Sequence, residues 1–196
     1  MARLAAVERR TLETSINLKL SLDGEGRWEG SSGIPIFDHF LYQTVRHGLF
    51  DLELWVAGDL EVDNHHTVED IGLCLGQALQ QALGDKAGIN RYGSALIPMD
   101  EALIQVVLDL SGRPFLDYQV EFFTEKIGSL ESELVEEFLR ALANSGGITL
   151  HVRKLAGKNS HHLAEALFKA LGRALREAVS LDPRIKGVPS TKGSLD

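Results

Sequence analysis

HHTVEDIGLCLGQALQQAL at 65–83 and HHLAEALFKALGRALREAV at 161–179 decide the fold of this 196-residue chain. Aligned without a gap, they share His65/His161, His66/His162 and Glu69/Glu165, then Leu75/Leu171, Gly76/Gly172, Ala78/Ala174, Leu79/Leu175 and Ala82/Ala178. Apolar residues recur at three- and four-residue steps in both, the pattern of an amphipathic helix. Two unrelated core helices would agree at apolar positions alone. These also agree at polar ones.

The likeness continues upstream. DHFLYQTVRHGLFDLEL (38–54) lies over EEFLRALANSGGITLHV (136–152), each reading as a helix, a glycine stop and a strand. ETSINLKLSLDG (13–24) lies over EALIQVVLDLSG (101–112), each a strand that ends in a glycine turn. The expectation is an α+β fold of two internally duplicated halves, each a small sheet packed with helices, related by a pseudo-twofold axis. The first repeat covers 1–88 and the second 89–182. A polar tail follows at 183–196, PRIKGVPSTKGSLD.

Composition narrows the function. Hydrophobic residues at 44% and charged residues at 24% are ordinary for a globular chain able to bury a core. No apolar run approaches the roughly 18 residues that span a bilayer, and the charged start lacks a secretory core, so a cytoplasmic protein without a membrane partner is expected. A net charge of −8 argues against nucleic acid as a partner. The one cysteine, Cys74, excludes an internal disulfide and reads as a small buried helix residue.

The paired histidines point to metal. On a helix, residues i and i+4 share a face, while adjacent residues point about 100° apart. His65 and Glu69 can therefore chelate one ion, and His161 and Glu165 another, with His66 and His162 left over. The economical arrangement is a swap: one ion takes His161, Glu165 and His66, the other His65, Glu69 and His162. The repeat supplies a fourth ligand to each, because His39 aligns with Glu137 on the shorter helices. His151 aligns with Glu53 on a strand, which argues against it as a ligand. Imidazole and carboxylate donors without thiolate favour Mn²⁺, Fe²⁺ or Zn²⁺. Asn64 and Ser160 precede the pairs as helix N-caps, but capping does not account for two histidines and a glutamate occurring twice.

RRTLETSI (9–16), IFDHFL (36–41), GDLEVDNHHTVEDIG (58–72), PMDEAL (98–103), LDLSGRP (108–114), GKNSHH (157–162) and VPSTKG (188–193) follow in this order. With them the chain closely resembles the imidazoleglycerol-phosphate dehydratase family of histidine biosynthesis, nearly end to end. The resemblance implies a duplicated fold like domain 2 of ribosomal protein S5, two Mn²⁺ per site, and a 24-subunit homo-oligomer built from trimers with sites between subunits. It places metal ligands at His39, His66, His161 and Glu165, and at His65, Glu69, Glu137 and His162. Many members carry histidine where this chain has Glu137.

The implied reaction removes water from imidazoleglycerol phosphate, giving imidazole acetol phosphate through a dimetal-bound imidazolate. Glu13 is the candidate proton carrier, with Glu101 a weaker one. Arg91, Arg113, Lys169, Ser190 and Lys192 match positions that contact the substrate's phosphate, and His65, Glu69, His161 and Glu165 also border the substrate. Ser190 and Lys192 make the tail part of the site. Arg9, Arg10 and Lys158 read as solvated surface residues. A dinuclear hydrolase would share the metals but need an open water position, and a metal-storage shell would need no Glu13 or Arg113.

Overall fold

The computed structural model describes residues 3–195. Met1 and Ala2, the first residues of the expected first repeat, and Asp196, the last of the expected tail, lie outside the described residues. The first half runs β1 (Leu4–Arg10), β2 (Thr14–Ser21), β3 (Trp28–Ser31), α1 (Pro35–Gly48), β4 (Asp51–Gly58) and α2 (His65–Leu83). The second runs β5 (Tyr92–Met99), β6 (Ala102–Asp109), β7 (Phe115–Gln119), a small hairpin of β8 (Lys126–Ile127) and β9 (Leu130–Glu131), α3 (Leu134–Gly146), β10 (Thr149–Ala156) and α4 (Ser160–Val179). The sheets have matching orders, β1-β2-β4-β3 and β5-β6-β10-β7. In each, the last-named strand runs parallel to its neighbour and the other pairs are antiparallel. The architecture is α+β in two similar halves. Among the described residues the β8–β9 hairpin has no counterpart in the first half.

Alternation places Ile16, Leu18 and Leu20 of β2, and Ile104, Val106 and Leu108 of β6, on the inner sheet faces, where they are buried. α2 lies on β1 and β2; α4 lies on β5 and β6. Between the sheets the helices pair across the halves, α1 with α4 and α2 with α3. Phe37 meets Phe138 edge to face at 5.2 Å, and Phe40 stacks on Phe168 at 5.3 Å, so aromatic rings from both halves fill the centre.

The repeated glycines explain the crossings. A Cβ on Gly76 would lie 2.6 Å from the Leu142 carbonyl oxygen and 2.7 Å from the Gly146 nitrogen. On Gly172 it would lie 3.0 Å from the Gly48 nitrogen and closer still to the Thr44 carbonyl oxygen. The helices thus touch backbone to backbone. Gly48 and Gly146 are therefore the last helical residues rather than the stops. The left-handed positions that end α1 and α3 are Leu49 (φ 55°) and Gly147 (φ 62°).

Both expected caps also shift. Asn64 makes no capping bond; its side-chain amide donates to the Ser129 carbonyl and to Glu131, and Asp63 accepts from the His65 N–H instead. α4 is capped by Asn159, which accepts from His161 and His162, while Ser160 Oγ accepts from the Phe123 N–H. Cys74 is buried on α2. No helix among the described residues is long and apolar enough to cross a membrane.

Candidate functional site

The α1–α4 crossing brings His39 to the first turns of α4. His39 Nε2 lies 3.0 Å from Glu165 Oε2, and His161 Nε2 lies 3.1 Å from the same oxygen. One donor atom from each residue falls within 4.8 Å of the others. The remaining Glu165 oxygen pairs with Lys169 Nζ at 2.7 Å. Burial alone would push this carboxyl up, but Lys169 and His39 outweigh it and hold it at about 2. A carboxylate that its neighbours favour in the charged form, flanked by two imidazoles, is a donor set that fits Mn²⁺, Fe²⁺ or Zn²⁺.

The second motif is less gathered. His65 Nε2 lies 3.8 Å from Glu69 Oε2. Glu137 turns to Arg140, three residues on along its own helix, at 3.7 Å. Among the described residues no second group of three converges as His39, His161 and Glu165 do.

His66 and His162 are not in their own chain's cluster. His66 Nδ1 donates to Asp59 at 3.0 Å, and Glu13 faces its Nε2 at 3.7 Å. His162 Nδ1 donates to Glu101 at 2.8 Å, with Asp100 at 3.7 Å from its Nε2. These carboxylates hold both imidazoles above their ordinary pKa, and Glu101, bonded to His162 and two backbone N–H groups, is held at about 2. Glu13 is half exposed.

Arg91, Arg113, Ser190 and Lys192 line one groove of about 620 Å³. The positive φ of Arg91 (73°) turns its side chain back onto Asp109, which it grips through Nε at 2.7 Å and Nη2 at 2.9 Å. Its Nη1 donates to the Pro189 carbonyl at 2.9 Å, anchoring the tail. Arg113 is mostly exposed, 3.9 Å from Asp109. Lys169 stands apart from this groove, beside Glu165. The Arg91 N–H bonds the Ala178 carbonyl near the far end of α4. From His161 to Ala178 the helix rises about 25 Å. Within one chain the histidine cluster and the cationic groove therefore sit at opposite ends of α4.

Sequence reasoning missed several groups here. Asp59 carries no motif. Arg9 is no idle surface residue: it pairs at 2.9 Å with Asp70, a buried acid that also accepts from Thr14. Lys86 is buried and donates to the Leu110 carbonyl at 3.1 Å, beneath the groove. His47 is held below the usual imidazole range by burial and by Lys169 and Arg173. None of them stands at a spacing that flags it in sequence. His151 donates to Asp117 at 3.1 Å on the outer face of the second sheet, away from these groups.

The model of the imidazoleglycerol-phosphate dehydratase family matches residues 32–175. The chain belongs to that family. It is 69% identical to the imidazoleglycerol-phosphate dehydratase of Moorella thermoacetica over 195 residues, covering 100% of both chains. To that of Clostridium botulinum it is 57% identical over 98% of both. The solved structure of the Staphylococcus aureus imidazoleglycerol-phosphate dehydratase superposes with a TM-score of 0.82 at 36% identity, covering 91% of this chain and 99% of that one. That of Pyrococcus furiosus IGPD gives 0.84 at 35% identity, covering 96% and 100%. The family is one of hydro-lyases, so the dehydratase resemblance seen in the motifs and the α+β duplication both stand. The matched span contains His39 and both His-His-x-x-Glu segments, 65–69 and 161–165.

Proposed function

We propose that the chain dehydrates imidazoleglycerol phosphate to imidazole acetol phosphate in histidine biosynthesis, at a site that two divalent metal ions complete. The carrying observation is the convergence of His39, His161 and Glu165, placed within a chain of this family. When bound, the ions supply the positive charge that lowers the pKa of the substrate's imidazole ring. His39, His161 and Glu165, joined by His66, hold one ion; His65, Glu69 and Glu137, joined by His162, hold the other. Mn²⁺ suits both sets. Glu137 reaches its ion by leaving Arg140, which a helix-surface pair permits at little cost.

The distances support a site shared between chains. His66 and His162 serve the ions of neighbours, and the groove at one end of α4 serves a cluster about 25 Å from its own. A closed homo-oligomer such as a trimer-based 24-mer satisfies both requirements. Arg113, Ser190 and Lys192 bind the phosphate, Arg91 holds the tail in place around it, and Lys169 reaches it from the cluster side. Glu13, half exposed beside His66, moves the proton on the glycerol chain. His65, Glu69, His161 and Glu165 also wall the substrate ring. The two repeats, 1–88 and 89–182, each supply half of a site, and the tail at 183–196 closes it. A cytoplasmic location suits the free Cys74.

The test is turnover of imidazoleglycerol phosphate by chelator-stripped protein, with and without added Mn²⁺. Turnover restored by Mn²⁺ supports the reading. No turnover in either state would sink it, and equal turnover in both would remove the metals from it.

A further inference from the structure

The two histidines that stand apart from their own cluster are each bonded through Nδ1 to a carboxylate, yet from places the repeat does not relate. His66 uses Asp59, the first residue of the six-residue loop 59–64 between β4 and α2. The matching loop between β10 and α4 is only 157–159, Gly-Lys-Asn, and holds no acid. Glu101 reaches His162 instead, from the β5–β6 turn. Two halves with different loops arrive at the same contact on the same ring atom.

The chemistry of that contact is specific. A neutral imidazole carries its proton on one nitrogen, and a carboxylate at Nδ1 keeps it there, leaving the Nε2 lone pair to face outward. Glu101 is fixed more firmly still: its other oxygen accepts from the backbone N–H groups of Lys158 (3.2 Å) and Asn159 (2.8 Å), the latter the cap of α4. Its repeat partner Glu13 has no such ties. Among the described residues, the only group that an ion-pair distance brings to the Glu13 carboxylate is His66 Nε2 at 3.7 Å.

We propose that Asp59 and Glu101 are positioning residues that lock His66 and His162 in the Nε2-ligating tautomer, and that duplication left Glu13 as the member of the Glu13/Glu101 pair free to carry a proton. This rests on the reading of His66 and His162 as metal ligands. It removes Glu101 from the proton-carrier candidates.

Mn²⁺ binding to the full chain, followed by the free-ion electron paramagnetic resonance signal, tests it alongside turnover. Removing an orienting carboxylate typically weakens a metal site about 10–100-fold. Glu101→Ala and Asp59→Ala are expected to show a loss of that order in Mn²⁺ affinity, with turnover regained at saturating Mn²⁺. Asp59→Asn, whose carbonyl still accepts from His66 Nδ1 and whose amide replaces a carboxylate oxygen that has no hydrogen-bond partner among the described residues, is expected to keep most of the affinity. Glu13→Ala is expected to do the opposite: unchanged Mn²⁺ affinity and no turnover at any metal concentration. Glu101→Ala with normal affinity and no turnover would overturn the assignment and return Glu101 to proton transfer. His162→Ala separates the two layers: if it leaves Mn²⁺ affinity intact, the ligand reading fails and this inference with it. If it weakens binding while Glu101→Ala does not, this inference alone fails.

Discussion

Gly172→Ala sets two known effects against each other at the crossing that builds the site. Alanine is the better helix former by about 1 kcal/mol, so on α4 alone the change would stabilise the protein. Its Cβ, however, would sit 3.0 Å from both the Thr44 carbonyl carbon and the Gly48 nitrogen, with the Thr44 oxygen nearer still. These are backbone atoms and cannot rotate away. Relief requires α1 to move off α4, an overpacking cost of about 1–3 kcal/mol. The expected net loss is up to about 2 kcal/mol, or a fall in Tm of up to roughly 8 °C for a chain of this size. The same movement carries His39 away from Glu165 Oε2, now at 3.0 Å, while the 3.1 Å contact of His161 with that oxygen lies within α4 and stays. Metal affinity should therefore drop with stability. Thermal unfolding of the stripped protein and Mn²⁺ titration read the two effects separately. A Tm that rises, as helix propensity alone dictates, with unchanged Mn²⁺ affinity would refute the close-packed crossing as what places His39.

Three further outcomes are expected. Glu13→Gln should lower turnover by about 10²–10⁴-fold, the range for losing a general acid–base, while Mn²⁺ binding stays normal; a fall in both would make Glu13 structural. Arg113→Ala should raise KM for the phosphorylated substrate more than it changes kcat, since Arg113 is exposed in the groove with only a distant partner; an unchanged KM would remove the groove from the site. Cys74 gives a pH test: burial pushes its thiol up from 9.0 to about 11. The folded state thus holds this proton more tightly than the unfolded chain does. The resulting stabilisation is complete below pH 9 and is lost as pH rises toward 11, so Cys74→Ala should show a flatter Tm profile across that window. Parallel profiles would contradict it.

What was legible in the sequence was whatever the duplication wrote twice. The two long helices, the shorter helices before them and the strands β2, β4, β6 and β10 all show in the paired segments. So do the glycines, although their role did not: Gly48 and Gly146 read as stops, whereas they are the last helical residues, where a Cβ would first meet the Phe50 and Ile148 side chains just downstream. The parallel strands β3 and β7 are short and weakly alternating, and β8–β9 belongs to one half only, so no repeat could expose them. At the site, spacing separated His65 from His66 and His161 from His162, because helix geometry alone dictates that divergence. The partners of those side chains were hidden. Asp59, Asp70 and Lys86 become meaningful when tertiary folding brings distant segments to them. Glu101 was visible as the counterpart of Glu13, but the bonds that distinguish them come from a loop three residues shorter in the second half.

The most direct test of the account is complementation between two inactive variants. His66→Ala removes a ligand that the account assigns to a neighbour's ion, and His161→Ala removes one from the chain's own cluster. Each alone should be nearly inactive. When the two are unfolded together and reassembled with Mn²⁺, a site that joins one variant's intact α4 to the other's intact α2 recovers both motifs. Random pairing predicts about one quarter of the wild-type activity. No recovery from a fully reassembled mixture would contradict a site shared between chains.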